Sequence, residues 1–136
     1  MGVSSELLSH TAEVKLRVRA PSFGQLAAEA ARALGALELG TTAPLASGPW
    51  RDLEIRAPDQ EALLVEWLNE LIYLAETERW VAVEFKVRAA EDMVLSMRGR
   101  GMVVDEPPAR VKAATFHGLK IVGTPVGLEA EVVLDV

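Results

Sequence analysis

The stretch Asp59–Glu78, DQEALLVEWLNELIYLAETE, decides how this chain of 136 residues folds. At roughly 100° per residue, its apolar side chains cover about 200° of a helical wheel. An ordinary surface helix buries a stripe of only about 100° or slightly more. We therefore predict a central helix that is covered from two directions, by a sheet on one side and by a second helix along its flank. Asp59, which follows Pro58, is the predicted N-cap.

The polar face of this predicted helix is acidic. Every charged side chain in the stretch is a carboxylate, and Glu66 and Glu70 are like charges one turn apart, which costs roughly a few tenths of a kcal/mol. Such a face is commonly a solvated surface that keeps a protein soluble. The alternative is a docking surface for a basic partner, with an aromatic anchor. In that interpretation the contacting residues are Glu66, Asn69, Glu70 and Tyr73.

The composition bounds the class of protein. Hydrophobic residues make up 50% of the chain and charged residues 25%, which excludes disorder and predicts one domain, 1–136, with a real core. There is neither a membrane-span-length apolar run nor a signal-peptide pattern, so we expect a cytoplasmic protein with no membrane partner. The absence of cysteine excludes disulfides and thiolate chemistry. A net charge of −6 argues against direct, non-specific binding to nucleic acid.

The rest of the chain shows strand and helix patterns in turn. Glu13–Ala20 alternates as a half-buried strand, and Ser22 begins a second, alanine-rich helix whose small side chains would allow a close approach to the central helix. Gly99-Arg100-Gly101 is interpreted as a break, and Lys112–Phe116 is ambiguous between strand and loop. Further strands are predicted at 50–56, 80–88, 93–98, 119–122 and 128–136.

These patterns predict an α+β fold. The expected order is β-α-β-α-β-β-β-β, in a single two-layer domain with two helices. The helices would pack on a mainly antiparallel sheet or on a split pair of sheets.

One candidate site follows from strand geometry. Neither a P-loop nor a GxGxxG, HExxH, GxSxG or CxxC motif is present. Glu13 opens the first predicted strand and Asp135 closes the last, each on the polar side of its alternation. If the two strands pair antiparallel, the start of one lies beside the end of the other. Glu13, Asp135 and the terminal carboxylate of Val136 would then meet.

Such a cluster of carboxylates requires a positive charge. An all-oxygen site suits a hard divalent cation, which would be Ca²⁺, Mg²⁺ or Mn²⁺. The alternative is an ordinary salt bridge to Lys15, Lys112 or Arg110.

Four motifs make this sequence similar to the archease family. They occur in the family's order over essentially the whole chain: HTAE at 10–13, LLVEWLNELIY at 63–73, KAATFH at 112–117 and LDV at 134–136. The resemblance implies a cytoplasmic protein cofactor without a catalytic centre of its own. Such proteins promote guanylylation and turnover of a GTP-dependent RNA ligase of the RtcB type in tRNA splicing and RNA repair. It also implies that Glu13, Asp135 and Val136 bind a divalent metal ion.

Two positions depart from the family pattern. The family usually has Asp after HTA, whereas this chain has Glu13, whose extra methylene moves the carboxylate by about an ångström or more. A different metal preference or affinity is therefore expected. Phe116 replaces the Tyr of KAxTYH, so a hydroxyl contact is lost. The polar residues that these motifs retain are assigned to the partner-binding surface: His10, Lys112, Thr115 and His117. For His117, a packed structural role is the alternative.

Two other classes of function remain open at the level of sequence. A general chaperone or interaction module would act through the acidic helix at 59–78 and Tyr73. A metal-dependent hydrolase would use His10 and His117 around the same acids, although no residue pattern supplies a nucleophile or a second metal shell.

Overall fold

The computed structural model describes residues 2–9, 13–40, 45–106 and 111–136. Within these ranges the chain forms two α-helices and eight β-strands, and all strand pairs are antiparallel. None of the described helices is long and apolar enough to cross a membrane. The elements are β1 Ser4–Ser9, β2 Glu13–Ala20, α1 Phe23–Leu39, β3 Ser47–Arg56, α2 Gln60–Glu78, β4 Trp80–Glu91, β5 Val94–Val103, β6 Ala113–Thr115, β7 Ile121–Thr124 and β8 Gly127–Asp135.

The strands form two separate sheets. One sheet has the order β1-β2-β8-β6, with β7 also pairing with β8, and the other has the order β3-β5-β4. Strands β6 and β7 share one edge of β8, because β6 pairs with its end and β7 with its beginning. Both helices contact strands of both sheets. The predicted α+β fold is confirmed, and of its two sheet arrangements the split pair is the one observed.

The structure adds two strands to the predicted order. β1, SSELLS, has too weak an apolar alternation to be recognised in the sequence, yet it pairs along the free edge of β2 from Ser4 opposite Arg19 to Ser9 opposite Val14. The ambiguous segment Lys112–Phe116 contains the short strand β6. The observed order is therefore β-β-α-β-α-β-β-β-β-β.

The central helix is α2, as predicted. The Asp59 Oδ1 atom accepts a hydrogen bond of 2.8 Å from the Ala62 N–H, which caps the helix. Trp67 is fully buried, donates from Nε1 to the Ala27 carbonyl of α1 at 3.0 Å, and meets the Phe85 ring of β4 edge-on. The helix is thus covered from two directions, which explains its wide apolar arc.

The alanine-rich helix α1 packs closely against β4. A methyl group at Gly35 would lie 2.5 Å from the Ala82 carbonyl oxygen, so the glycine permits contact between the helix and the strand backbone. The alanine-rich face contributes to the core between the helices, as the Trp67 bond to Ala27 indicates.

The interpretation of Gly99-Arg100-Gly101 as a break is wrong. These residues lie inside β5, and a Cβ atom at Gly101 would lie 1.9 Å from the Val81 carbonyl oxygen. A glycine is needed here because the backbone of the neighbouring strand β4, at Val81 and Ala82, occupies the space that a side chain would fill.

Candidate functional site

The first residue of β2 and the last residue of β8 lie opposite each other. The two strands pair over their whole length, from Ala20 opposite Leu128 to Glu13 opposite Asp135. Directly opposed side chains of an antiparallel pair project to the same face. Here that face points away from the core, because the side chains that alternate with it on both strands are mostly buried. Val133 is the exception on the outward side of β8, since it is also buried. The predicted meeting of Glu13 and Asp135 is therefore confirmed at the level of strand register.

Further along these strands, basic side chains face acidic ones. We call the outward side chains of β1, β2, β6, β7 and β8 the five-stranded face. Arg17 Nη2 lies 3.1 Å from Glu131 Oε2, and Arg19 Nη2 lies 3.4 Å from Glu129 Oε1. Lys15 Nζ is 4.0 Å from Glu131 Oε1. Most of this face is therefore neutralised by its own cross-strand ion pairs.

The end of the face at the start of β2 is different, because the register of β2 and β8 places two acidic residues opposite each other there. Glu13 and Asp135, together with Val136, form what we call the acidic corner. The salt bridges found among the described residues of this sheet do not include Glu13 or Asp135. Lys15, one of the expected counter-ions, faces Glu131 instead, and Arg110 lies outside the described residues. Like charges directly opposite each other are destabilising.

The donors of the acidic corner fit a hard cation by their chemistry. Carboxylate oxygens are the ligands that Ca²⁺, Mg²⁺ and Mn²⁺ prefer, and Asp135 and Val136 are exposed to solvent while Glu13 is half-buried. In the described part of the chain, no group of three or more His, Asp or Glu side chains is arranged to hold a metal ion. A fuller ligand set would need the carboxylate of Val136. Metal binding therefore stays a prediction.

Strand β6 borders the acidic corner. Ala113 pairs with Asp135, and the Lys112 N–H donates to the Asp135 carbonyl oxygen at 2.8 Å. The Thr115 hydroxyl donates to the Val133 carbonyl oxygen at 3.1 Å and accepts from the His117 N–H at 3.4 Å. The backbone around Asp135 is thus held on both sides, by β2 and by the segment that carries Lys112 and Thr115.

The turn after β6 presents two exposed rings. His117 is exposed and Phe116 is 57% exposed, and the Leu119 N–H donates to the Phe116 carbonyl oxygen at 3.0 Å, which closes the turn. An exposed imidazole does not fit the packed structural role that was the alternative for His117. Its side chain is available to a partner.

Asn69 of α2 has a structural contact. Its Nδ2 donates to the Ala114 carbonyl oxygen at 3.1 Å, and its Oδ1 accepts from the Ala114 N–H at 2.8 Å. The side-chain amide thus pairs with both backbone groups of a residue in the middle of β6, as a neighbouring strand would. Because β6 borders the acidic corner, Asn69 connects the central helix to it. Any role of Asn69 in partner binding stays a prediction.

The acidic face of α2 lies beside β3. Glu66 and Glu70 line a groove of about 380 Å³ that also contains Glu54 and Arg56. Tyr73 is 58% exposed and is not among the residues that line the groove. Arg56 supplies a basic group that the helix sequence alone does not contain.

The HTA part of the first motif, residues 10–12, lies outside the described residues. His10 lies outside the described residues, so its assignment to the partner-binding surface stays a prediction.

Sequence reasoning missed a buried carboxyl group. Glu38, near the end of α1, is only 8% exposed, and burial raises the pKa of its carboxyl from 4.5 to about 8. The cause is desolvation, which disfavours the charged form. The signal available in the sequence was its position among the apolar residues of a helical pattern.

Sequence reasoning also missed the surroundings of Trp50. Lys86 Nζ lies 4.5 Å from a ring centroid of the indole, and the guanidinium carbons of Arg98 and Arg100 lie 6.0 Å and 5.8 Å from it. The sequence did contain a sign of this. Trp50 alternates with the side of the strand that carries the buried Leu53, so its large ring falls on the polar side.

Comparison with known proteins identifies relatives over nearly the full chain. A sequence model of the Archease protein family matches residues 6–136. Protein archease of Methanosarcina barkeri is 29% identical over 143 residues, which cover 99% of this chain and 97% of that protein.

Two solved structures share the architecture. The solution structure of Methanobacterium thermoautotrophicum protein 1598 is 26% identical, with a TM-score of 0.74 over 97% of this chain and 98% of that one. The crystal structure of an archease from Thermotoga maritima, described as a possible chaperone, is 22% identical, with a TM-score of 0.64. That match covers 95% of this chain and 94% of the other, and it supports the fold alone.

Proposed function

This chain belongs to the archease family, and we propose that it is a non-enzymatic protein cofactor that activates a GTP-dependent RNA ligase in the cytoplasm. It would promote guanylylation of the ligase and its multiple turnover in tRNA splicing and RNA repair. The observation that carries the proposal is the register that sets Glu13 opposite Asp135 at the open end of the five-stranded face. The family resemblance supplies the partner.

The acidic corner is the proposed working part. Glu13, Asp135 and the carboxylate of Val136 would hold a divalent cation, which would screen negative charge beside the nucleotide and metal site of the ligase. Asp135 is positioned by pairing on both sides, with Glu13 on β2 and Ala113 on β6. Only its side chain is therefore free to adjust. Glu13, one methylene longer than the family's usual Asp, has more freedom to do so.

The exposed residues next to the corner are the proposed contact surface for the ligase. Lys112 precedes β6, His117 follows it, and both side chains are exposed. Phe116 adds an exposed apolar ring to the same segment. The acidic face of α2, with Glu66, Glu70 and Tyr73, offers a second contact region for a basic surface.

The direct test is multiple-turnover RNA ligation by the ligase from the same organism, with Glu13→Ala and Asp135→Ala. We expect stimulation to fall about tenfold or more in each variant, since removing one carboxylate halves the side-chain donors of the corner. Glu129→Ala is the matched control, because it removes an acid from the same strand and face that is paired with Arg19. Full stimulation by both corner variants would contradict the proposal.

Metal binding is tested separately on the isolated protein. Calorimetric titration with Mn²⁺ or Ca²⁺ should show one site that is lost in Asp135→Ala and retained in Glu129→Ala. If the metal binds equally to both variants, the corner is not its site, whatever the ligation assay shows.

A chaperone-like activity is the second candidate. The Thermotoga maritima relative is described as a possible chaperone, and Tyr73 on the acidic helix α2 is 58% exposed. Suppression of aggregation of an unrelated protein that survives Glu13→Ala and Asp135→Ala, and is lost in Tyr73→Ala, would favour this function over ligase activation.

A further inference from the structure

The outward side of the three-stranded sheet carries a cluster of cations around one indole. We call the outward side chains of β3, β4 and β5 the three-stranded face, and Trp50, Lys86, Arg98 and Arg100 the Trp50 cluster. The three cations lie 4.5 to 6.0 Å from a ring centroid of the indole, which is within the range of cation–π attraction. Trp50 is half-buried and keeps part of its surface open to solvent.

The local charge of this face differs from that of the whole chain. The basic side chains around Trp50 outnumber the acidic ones, although the chain has a net charge of −6. Asp52 lies 3.4 Å from both Arg88 and Arg98 and is shared between them. The basic side chains near Trp50 are Lys86, Arg98 and Arg100. The acidic ones opposite them are Asp52, the cross-strand neighbour of Arg98, and Glu84, the cross-strand neighbour of Arg100.

The cations of the cluster are poorly neutralised. Lys86 and Arg98 are direct cross-strand neighbours, a like-charge pair that is destabilising. Among the described residues, Lys86 and Arg100 form no salt bridge, and the buried Nε of Arg100 has no hydrogen-bond acceptor. Lys86 and Arg100 therefore lie within cation–π range of the indole without forming an ion pair, although Glu84 is the cross-strand neighbour of Arg100.

The chemistry of the cluster selects one kind of anion. An acidic peptide could pair with the cations, but its carboxylates would not use the indole face. A nucleic-acid duplex hides its bases from stacking. A single strand presents both phosphates and unstacked planar bases, and an aromatic residue flanked by cations on an open sheet is the arrangement that binds such strands.

We propose that the Trp50 cluster is a binding site for single-stranded nucleic acid. One base stacks on the Trp50 indole, and Lys86 and Arg100 hold the flanking phosphates. The expectation of no nucleic-acid binding was drawn from the total charge, which averages over the acidic helix and this face. The site is separate from the acidic corner and needs no metal.

The test is fluorescence anisotropy with a labelled single-stranded RNA of ten nucleotides, at 50 mM salt. We expect Kd to rise about tenfold in Trp50→Ala and severalfold in Arg100→Ala, because stacking and phosphate contacts are lost. Trp50→Phe keeps a ring and should bind almost as well as the native chain. Arg17→Ala, which removes an arginine from the other sheet, is the matched control and should leave Kd unchanged.

Tryptophan fluorescence gives a second readout that needs no variant. Trp67 is fully buried and Trp80 is 6% exposed, so quenching by added RNA reports on Trp50. Glu13→Ala should bind RNA normally, which separates this inference from the proposed function. The inference is overturned if RNA causes no saturable quenching, if Trp50→Ala binds as well as Arg17→Ala, or if polyglutamate or duplex RNA competes as strongly as the single strand.

Discussion

The outer faces of the two sheets follow the same alternation but differ in the sign of the like charges that they place opposite each other. On the five-stranded face, cross-strand pairs of opposite sign neutralise one another until the last pair, where Glu13 faces Asp135. On the three-stranded face, Asp52 and Glu84 lie opposite Arg98 and Arg100. Lys86, however, faces Arg98 beside Trp50. Among the residues that the structure describes, each face thus contains one directly opposed like-charge pair, anionic in one sheet and cationic in the other.

This difference teaches where a binding site can be sought on an open sheet. Opposed like charges lower stability, whereas opposed unlike charges raise it slightly. A face that pairs its charges has little left to offer a ligand. A face that keeps two like charges together holds a local potential that a counter-ion can relieve. The acidic corner fits a cation by this reasoning, and the Trp50 cluster fits an anion.

The largest expected effect comes from breaking the backbone contact within the three-stranded sheet. Gly101→Ala would place a methyl group 1.9 Å from the Val81 carbonyl oxygen, so β4 and β5 must separate. We expect a loss of about 4 kcal/mol in the free energy of unfolding, measured with urea. Gly123→Ala in β7 is the matched control in the other sheet, where nothing lies within 4 Å, and should change stability by less than about 0.5 kcal/mol. Equal losses would show that the close approach is unimportant.

The next largest effect is the pH dependence of stability that the buried carboxyl group of Glu38 causes and that a surface carboxyl group does not. Because burial raises the pKa of Glu38 from 4.5 to about 8, the folded state keeps its proton over a pH range in which the unfolded state releases it. Stability should therefore fall as pH rises from about 4.5 to about 8, by about 3 kcal/mol between pH 5 and pH 7.5.

The matched variants are Glu38→Gln and Glu131→Gln, followed by urea unfolding across this pH range. Glu38→Gln should flatten the pH dependence, and Glu131→Gln on the five-stranded face should not. A native profile that is already flat would contradict the pKa shift.

A smaller effect tests the support of the acidic corner. Asn69→Ala leaves the N–H and C=O of Ala114 without their side-chain partners, and Ala114 is 5% exposed. We expect a loss of about 2 kcal/mol in the free energy of unfolding, and faster amide exchange at Ala114. Asn69→Asp keeps only the hydrogen-bond acceptor, so its free energy of unfolding should lie between those of the native chain and Asn69→Ala. Unchanged exchange in Asn69→Ala would mean that β6 is held by β8 alone.

The smallest effect compares the central acid of each face. Glu131→Ala and Asp52→Ala each remove exposed ion pairs, so the free energy of unfolding should change by less than about 1 kcal/mol in both. Their effects on RNA binding should differ. Asp52→Ala removes the ion-pair partner of Arg98 and should lower the Kd for RNA about twofold, whereas Glu131→Ala should leave it unchanged. Identical RNA affinities in the two variants would remove the proposed distinction between the faces.

Several parts of the fold were predictable because they rest on local patterns. The wide apolar arc of Asp59–Glu78 and its N-cap predicted a central helix and how it is covered. The alternation of β2 and β8 predicted the opposition of Glu13 and Asp135, because an antiparallel pair joins the start of one strand to the end of the other. Glycines were harder to interpret, since Gly101 marks a close approach inside a strand and resembles a turn signal.

The sequence by itself determined the fold class, the central helix and its cap, and the identity of the two acids in the corner. These depend on periodicity and on neighbours along the chain. Only the tertiary structure decided the split into two sheets, the burial of Glu38, the pairing of Asn69 with Ala114 and the gathering of cations around Trp50. The physical reason is that all four depend on contacts between segments far apart in the chain. For the cross-strand neighbours among them, a one-residue shift of register would replace every contact.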